Sequence, residues 1–398
     1  MSNEMVIATG GEGYGYTEEE WLLKKNLRKF IEEEVDPRFK ENFTDETADP
    51  FYKEIMKKLG DQGFLRVGVP EELGGYGQRL TSLIIVTEEV ARGNGALAIH
   101  AMENQILGTV MAVSSPAAWA KWGEAIMSGE YILAASMCSP EGQCNYEEQA
   151  YIGKLEGDEW VLNGEKAFSS GATFCDILTI FGLMDGTMYQ WAVDPKNTPG
   201  LTITKNPEMG NSPTYATVSM KNVRIPKEFG GPAPMMVVNR KPVIEVPSAK
   251  TFPVCCAALA MGSMSAAFDK TVEYLKHRTS GFKPIASIGS IQDKLTRMKM
   301  QMESARSFML IATQMIETNH RDAILYGSLA KAYVCDTARF ITSECVQLHG
   351  AVGINPDSGI IRYMLDATGF SIGVCGSEMH LASAAKYMGL PGAEWECL

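Results

Sequence analysis

Hydrophobic residues change their spacing twice along this chain, and no other feature narrows the fold as far. Across residues 17–129 the apolar positions follow the helical period of about 3.6. Thr17-Glu18-Glu19-Glu20 is the sequence of a capped helix start, and Leu22, Leu23, Leu27, Phe30 and Ile31 form the stripe behind it. Pro37 is expected to end that helix. Further helical segments fall at 51–59, 80–92 and 96–113, with Gly74-Gly75-Tyr76-Gly77 as a loop. Near Tyr131 the period drops to about 2. Short β-rich runs at 151–155, 160–162, 177–181, 188–193, 201–204 and 215–220 are separated by Gly, Pro, Asn or Asp, with Glu156-Gly157-Asp158 and Asn163-Gly164 expected as turns. Helical spacing returns after the proline-rich stretch 226–247. Met261, Met264, Phe268, Val272 and Leu275 make one stripe, and Ile288, Ile291, Leu295, Met298, Met302, Ala305, Met309, Ala312 and Ile316 make a seam for packing against another helix. Two more helical segments, at 322–348 and 377–388, complete a bundle. The expected chain is therefore α+β, with an N-terminal helical domain (1–130), a central antiparallel β-barrel or sandwich (131–235) and a C-terminal four-helix bundle (236–398).

With 45% hydrophobic and 21% charged residues among 398, the chain has enough apolar material for a large core. A formal charge of −12 excludes the basic footprint that sequence-independent nucleic-acid binding requires. The first 21 residues are Gly-rich and acidic rather than a charged-then-apolar leader, and no apolar run is read as approaching the roughly 20 residues of a membrane span. A cytoplasmic location without membrane insertion is the expectation. The nine cysteines include no Cys-x-x-Cys pair and read as reduced, mostly buried thiols, while the 23 methionines sit on helical stripes and read as core. No metal site is expected. Gly11, Gly13 and Gly15 do not follow a strand, so no nicotinamide fingerprint is present.

Several local stretches point further. Asp158-Glu159-Trp160-Val161-Leu162-Asn163-Gly164-Glu165-Lys166, leading into Phe168-Ser169-Ser170, resembles the hairpin, strand and aromatic-x-Thr/Ser flavin contact of the acyl-CoA dehydrogenase family of FAD flavoproteins. Asn222-Val223-Arg224-Ile225-Pro226 resembles the end of that family's β domain. Arg278 with Lys283-Pro284-Ile285 and Ile291-Gln292-x-Lys294-Leu295 resembles its stretch between bundle helices, and Gln347-Leu348-His349-Gly350-Ala351-Val352-Gly353 its glycine turn. These matches occur in order from about residue 60 to residue 388.

The resemblance implies FAD as cofactor, with the isoalloxazine ring against the β domain. Met137, Cys138 and Ser139 would bond its polar edge through their backbone, Phe168 would pack beside it, and Ser170 would bond near N5. Arg278 and the turn from Gly350 to Gly353 would hold the pyrophosphate from a neighbouring subunit, Phe282 and Gln347 would be further cofactor contacts, and Glu378 would lie near the adenosine portion. Fixed positive charge and backbone donors are what two buried phosphates need. A homo-oligomer, usually a tetramer, follows, together with an acyl-CoA substrate and an electron-transfer flavoprotein as redox partner.

Removing hydrogen from the α and β carbons of a thioester requires a base for the α proton while the β hydrogen leaves as hydride. The family supplies a glutamate at one of two positions, occupied here by Val374 and Phe252. Glu103, in the apolar segment that lines the acyl pocket in the family, is the first candidate for the missing base, and Glu245 a weaker one. His100 lies three residues from Glu103 and shares its helical face. With Val374, and with Cys144 where a serine often touches CoA, it is expected on the substrate side. The reading is α,β-dehydrogenation of an acyl-CoA, or the reverse enoyl-CoA reduction, on a cyclic or unusual acyl group. A flavin monooxygenase on the same fold and a non-redox CoA-thioester binder are the alternatives.

Overall fold

The structure, a computed structural model, describes residues 15–38, 45–140, 152–184, 187–207, 215–233, 237–238, 241–242, 247–373 and 375–393. Among them are ten α-helices: α1 (Glu18–Phe30), α2 (Asp45–Asp61), α3 (Leu80–Gly93), α4 (Gly95–Ser114), α5 (Pro116–Met127), α6 (Pro247–His277), α7 (Gly289–Glu317), α8 (Ala323–His349), α9 (Ile360–Ile372) and α10 (Ser377–Tyr387). Eight strands build two four-stranded sheets: β1 (Leu133–Ser136), β2 (Gly153–Glu156), β3 (Glu159–Ser169), β4 (Ile177–Met184), β5 (Thr187–Val193), β6 (Leu201–Lys205), β7 (Ala216–Pro226) and β8 (Gly230–Pro232). The chain divides into two compact units, one drawn from residues 1–40, 80–99 and 250–397 and the other from 41–79 and 100–249.

The first unit holds α1, α3 and the bundle helices. α1 starts as its sequence implies: the Thr17 hydroxyl accepts from the Glu20 N–H, and the Glu20 carboxylate accepts from the Thr17 N–H at 2.9 Å. Every residue of α6 from Thr251 to Phe268 is buried. The segment Thr251–His277 is long and apolar enough to cross a membrane, which corrects the reading that no run approaches that length; its most apolar stretch is buried inside the protein. On α7 the expected seam is buried at Met298, Met302, Ala305, Met309, Ala312 and Ile316, whereas Ile288 is exposed at its start. A further helix, α9, was not expected. It begins after Gly359, which takes a left-handed conformation that favours glycine.

Polar groups also tie this unit together. Glu88 and Glu89 on α3 are fully buried, and Lys24 and Arg28 of α1 and Arg306 of α7 converge on them. Lys24 reaches Glu88 at 3.0 Å, Arg28 Nη2 reaches Glu89 at 2.8 Å, and Arg306 also donates to Ser265 of α6 at 3.1 Å. Burial alone would raise the Glu88 carboxyl, but Arg306 and Lys24 hold it well below the usual carboxylate range.

In the second unit the sheets run β2-β3-β7-β6 and β1-β4-β5-β8. Neither closes on itself, so the arrangement is a sandwich rather than a barrel, with Trp160, Leu162, Leu178, Ile180, Trp191 and Val218 in one shared core. β1 pairs with β4 in parallel, unlike the expected antiparallel order. Asn163-Gly164 is not a turn. β3 runs straight through it, the register with β7 slips between Leu162 and Gly164, and the Asn163 side chain accepts from the Asn222 N–H at 2.8 Å.

Candidate active site

In the second unit, one end of the sandwich is assembled from α4, the end of β1 and the end of β3. Asn104 of α4 sets their register. Its amide donates to the carbonyls of Ile126 (2.9 Å) and Tyr131 (3.0 Å), and its oxygen accepts from the Leu133 N–H at 2.9 Å, so the first residue of β1 is pinned to the helix. Beyond β1, the segment Met137–Ser139 is fastened to β3 by three contacts. Ala167 N–H donates to the Cys138 carbonyl at 2.8 Å, and buried Lys166 donates to the Met137 carbonyl at 3.0 Å and to the Ser139 hydroxyl at 2.9 Å. The Ser136 and Ser169 hydroxyls meet at 2.7 Å. Lys166 sits on the inward parity of β3, in step with Trp160 and Leu162, and that signal marks it in the sequence as a buried cation needing acceptors.

Between Lys166 and Ser169 the pairing with β7 slips again, and Phe168 takes φ +53°, rare for a residue with a side chain. This bulge turns the Phe168 ring outward, leaving it 51% exposed beside half-buried Ser170. Five of the expected flavin contacts, Met137, Cys138, Ser139, Phe168 and Ser170, thus lie on two segments bonded to each other.

Ser170 is followed by Gly171 at φ +70°, where an added Cβ would stand 2.3 Å from Cε1 of His100. The imidazole fills that space. Phe174 lies edge-on to it with centroids 5.2 Å apart and Tyr52 of α2 at 5.8 Å, while those two rings stack on each other at 5.3 Å. One helical turn along α4, Glu103 Oε2 lies 3.7 Å from His100 Nδ1. Neither ring nitrogen of His100, nor Glu103 Oε2, has a hydrogen-bond partner among the described residues. Burial pushes the Glu103 carboxyl above its ordinary value, and His100 opposes that rise. A buried carboxyl whose proton affinity is raised is a candidate general acid and base.

The other expected site residues lie elsewhere. Arg278, Gln347, Gly350 and Glu378 are exposed in the first unit, and Phe282 stands fully exposed at the tip of a short hairpin after α6. Gly350 ends α8 at φ +61°. Phe252 is buried in α6. Cys144, Glu245 and Val374 lie outside the described residues. Six of the seven described cysteines are buried and in no disulfide, in line with the sequence reading, and burial pushes Cys335 up to about 11 and Cys345 up to about 12.

Comparison with known proteins fits this arrangement. The family model for the acyl-CoA dehydrogenase N-terminal domain matches residues 17–130, and that for the acyl-CoA dehydrogenase C-terminal domain matches residues 253–389. The chain belongs to the acyl-CoA dehydrogenase family. It is thereby an oxidoreductase of the class acting on CH–CH bonds, with FAD as its cofactor. Similar proteins include the 3-(aryl)acrylate reductase of Clostridium sporogenes, 29% identical over 88% of this chain and 93% of that protein, and the glutaryl-CoA dehydrogenase of Desulfococcus multivorans, 26% identical over 89% and 92%. The butyryl-CoA dehydrogenase of Megasphaera elsdenii shares the fold, with a TM-score of 0.82 at 23% identity, covering 94% of this chain and 98% of that one.

Proposed function

We propose that this chain adds hydrogen across, or removes it from, the α and β carbons of an acyl-CoA, works chiefly as a reductase of an aryl- or ring-bearing enoyl-CoA, and uses Glu103 as its acid and base. The observation that carries this reading is the buried Glu103 carboxylate with an unpartnered oxygen. It belongs to the same cluster as the Phe168–Ser170 bulge, through Gly171 and His100. Similarity to a 3-(aryl)acrylate reductase supports both the direction and the planar substrate.

The bulge fits an isoalloxazine: Phe168 offers an open aromatic face, Ser170 a neighbouring hydroxyl, and Lys166 holds the Met137–Ser139 segment in place for the ring's polar edge. FAD, when bound, supplies the hydride in reduction and accepts it in oxidation. Glu103 then delivers or takes the α proton. Burial raises its affinity for that proton, and its exclusion from water strengthens its action at a thioester enolate.

Exposed Arg278 with no side-chain partner among the described residues, exposed Gln347 and Gly350, and the fully exposed Phe282 support a homotetramer in which these groups serve a neighbouring subunit's FAD. Electron-transfer flavoprotein is the proposed redox partner, supported by family membership, and the cytoplasm is the proposed location. The test is Glu103→Gln. The variant is expected to retain FAD while flavin reoxidation by an enoyl-CoA slows by about a thousandfold; an unchanged rate removes Glu103 from the mechanism.

A further inference from the structure

We propose that Glu103 and His100 act as one proton-sharing pair, in which Glu103 meets the acyl chain and His100, enclosed behind it, holds the proton that Glu103 gains or lends. The inference rests on Glu103 as acid and base. It goes beyond that reading by taking His100 off the substrate side and making it a positioning residue that acts through the carboxylate.

Accessibility gives the order of the two groups. The Glu103 side chain keeps 10% of its surface and that of His100 only 1%, so Glu103 is the less enclosed of the two. The walls of the imidazole are aromatic edges and backbone: Tyr52 from α2, Phe174 from the turn before β4, and Gly171, whose missing Cβ is the space the ring occupies. Packed this way, the ring has little room to turn. A neutral imidazole always carries one N–H and one lone pair, and both nitrogens here are buried without a partner. The nearest ion-pair partner among the described residues is Glu103, and closing the 3.7 Å gap by under about 1 Å makes a hydrogen bond between His100 Nδ1 and Glu103 Oε2.

The remaining charges around the pair are accounted for. Burial raises the Asp49 carboxyl on α2, and Lys53 of the same helix and His100 oppose that rise. On the strand side, Asp176 is held by Lys196 at 2.9 Å and Lys53 at 3.4 Å, and Cys175 is kept a neutral thiol by burial. Glu103 is thus the partner left to exchange a proton with the ring. In the oxidative direction the α C–H bond breaks, its electron pair stays on the substrate as the enolate, and an O–H bond forms on Glu103. That proton then moves to His100 Nδ1, so that an N–H bond forms, the O–H bond breaks, and a carboxylate faces an imidazolium. Reduction runs the same transfers backwards.

The test follows α-hydrogen exchange in deuterated buffer on FAD-loaded protein, against pH. (Phenylthio)acetyl-CoA serves as probe, because sulfur in place of the β carbon prevents hydride loss and isolates the proton step. Wild type is expected to exchange. His100→Asn, which keeps a donor near Nδ1 but cannot take up a proton, is expected to exchange about tenfold more slowly at neutral pH. Its acidic limb is expected to move upward, because the group that lowers the Glu103 pKa is gone. His100→Gln is the second variant should the first not fold, and unchanged flavin absorbance with a retained melting transition separates either effect from lost structure. A slower rate with an unmoved profile, or an unchanged rate, overturns the pair while leaving Glu103 as base. Exchange that survives Glu103→Gln overturns the base and the pair together, and a wild type that does not exchange overturns the functional reading beneath both.

Discussion

Lys166 shows how one side chain sets up chemistry it never touches. Its ammonium is buried and spends donors on the Met137 carbonyl and the Ser139 hydroxyl, which fixes the segment where the flavin's polar edge is proposed to bind. Lys166→Met removes both bonds at similar volume. FAD is expected to dissociate about tenfold faster, since hydrogen bonds to charged groups contribute about 1.5–3 kcal/mol; flavin release measured by fluorescence checks it, and an unchanged rate contradicts the role. At this scale the sequence was informative where the signal is local. Phe168 and Ser170 were legible because they follow a strand motif within a few residues. The cage around His100 was not, because Tyr52, Gly171 and Phe174 come from stretches 48 to 74 positions away in a chain where only local spacing can be read.

Elements follow the same division. The helix start at Thr17, the α7 seam and most strands were readable because capping and periodicity are short-range, and the structure keeps them. Asn163-Gly164 misled because a bulge and a turn use the same residue types, and which one forms depends on the β7 partner. α9 was missed because it follows a Pro- and Gly-bearing stretch that reads as loop. The buried charges on α3 illustrate a tertiary override: Glu88 and Glu89 look like a solvated face, yet cations from α1 and α7 enclose them. Glu88→Ala removes the carboxylate nearest the buried Arg306 guanidinium and leaves Glu303 at 3.9 Å, and urea unfolding is expected to show a loss of about 3–5 kcal/mol. The native Glu88 contribution is present above its ordinary pKa of 4.5 and is lost as pH falls through its depressed folded value. An Ala variant as stable as wild type at pH 7 contradicts this.

Over the whole molecule, a second buried carboxyl works in the opposite sense. Asp366 of α9 is fully buried, and burial pushes it up to about 7 from 3.8, with Arg362 and the Gly95 backbone N–H opposing. Between those values the unfolded chain releases this proton while the folded chain keeps it, so stability falls as pH rises from about 4 to 7. Asp366→Asn is expected to flatten that slope by an amount on the order of 2–4 kcal/mol across the window. Unfolding curves at pH 4.5 and 8 measure it, and an unaltered slope assigns the pH dependence elsewhere.

The most direct measurement of the central claim is an anaerobic titration of FAD-loaded, chemically reduced protein with cinnamoyl-CoA, an aryl-bearing enoyl thioester. The expected result is return of the oxidised flavin absorbance with about one equivalent per flavin, together with formation of 3-phenylpropionyl-CoA. A flavin that stays reduced with cinnamoyl-CoA and with short-chain enoyl-CoA compounds alike contradicts the account.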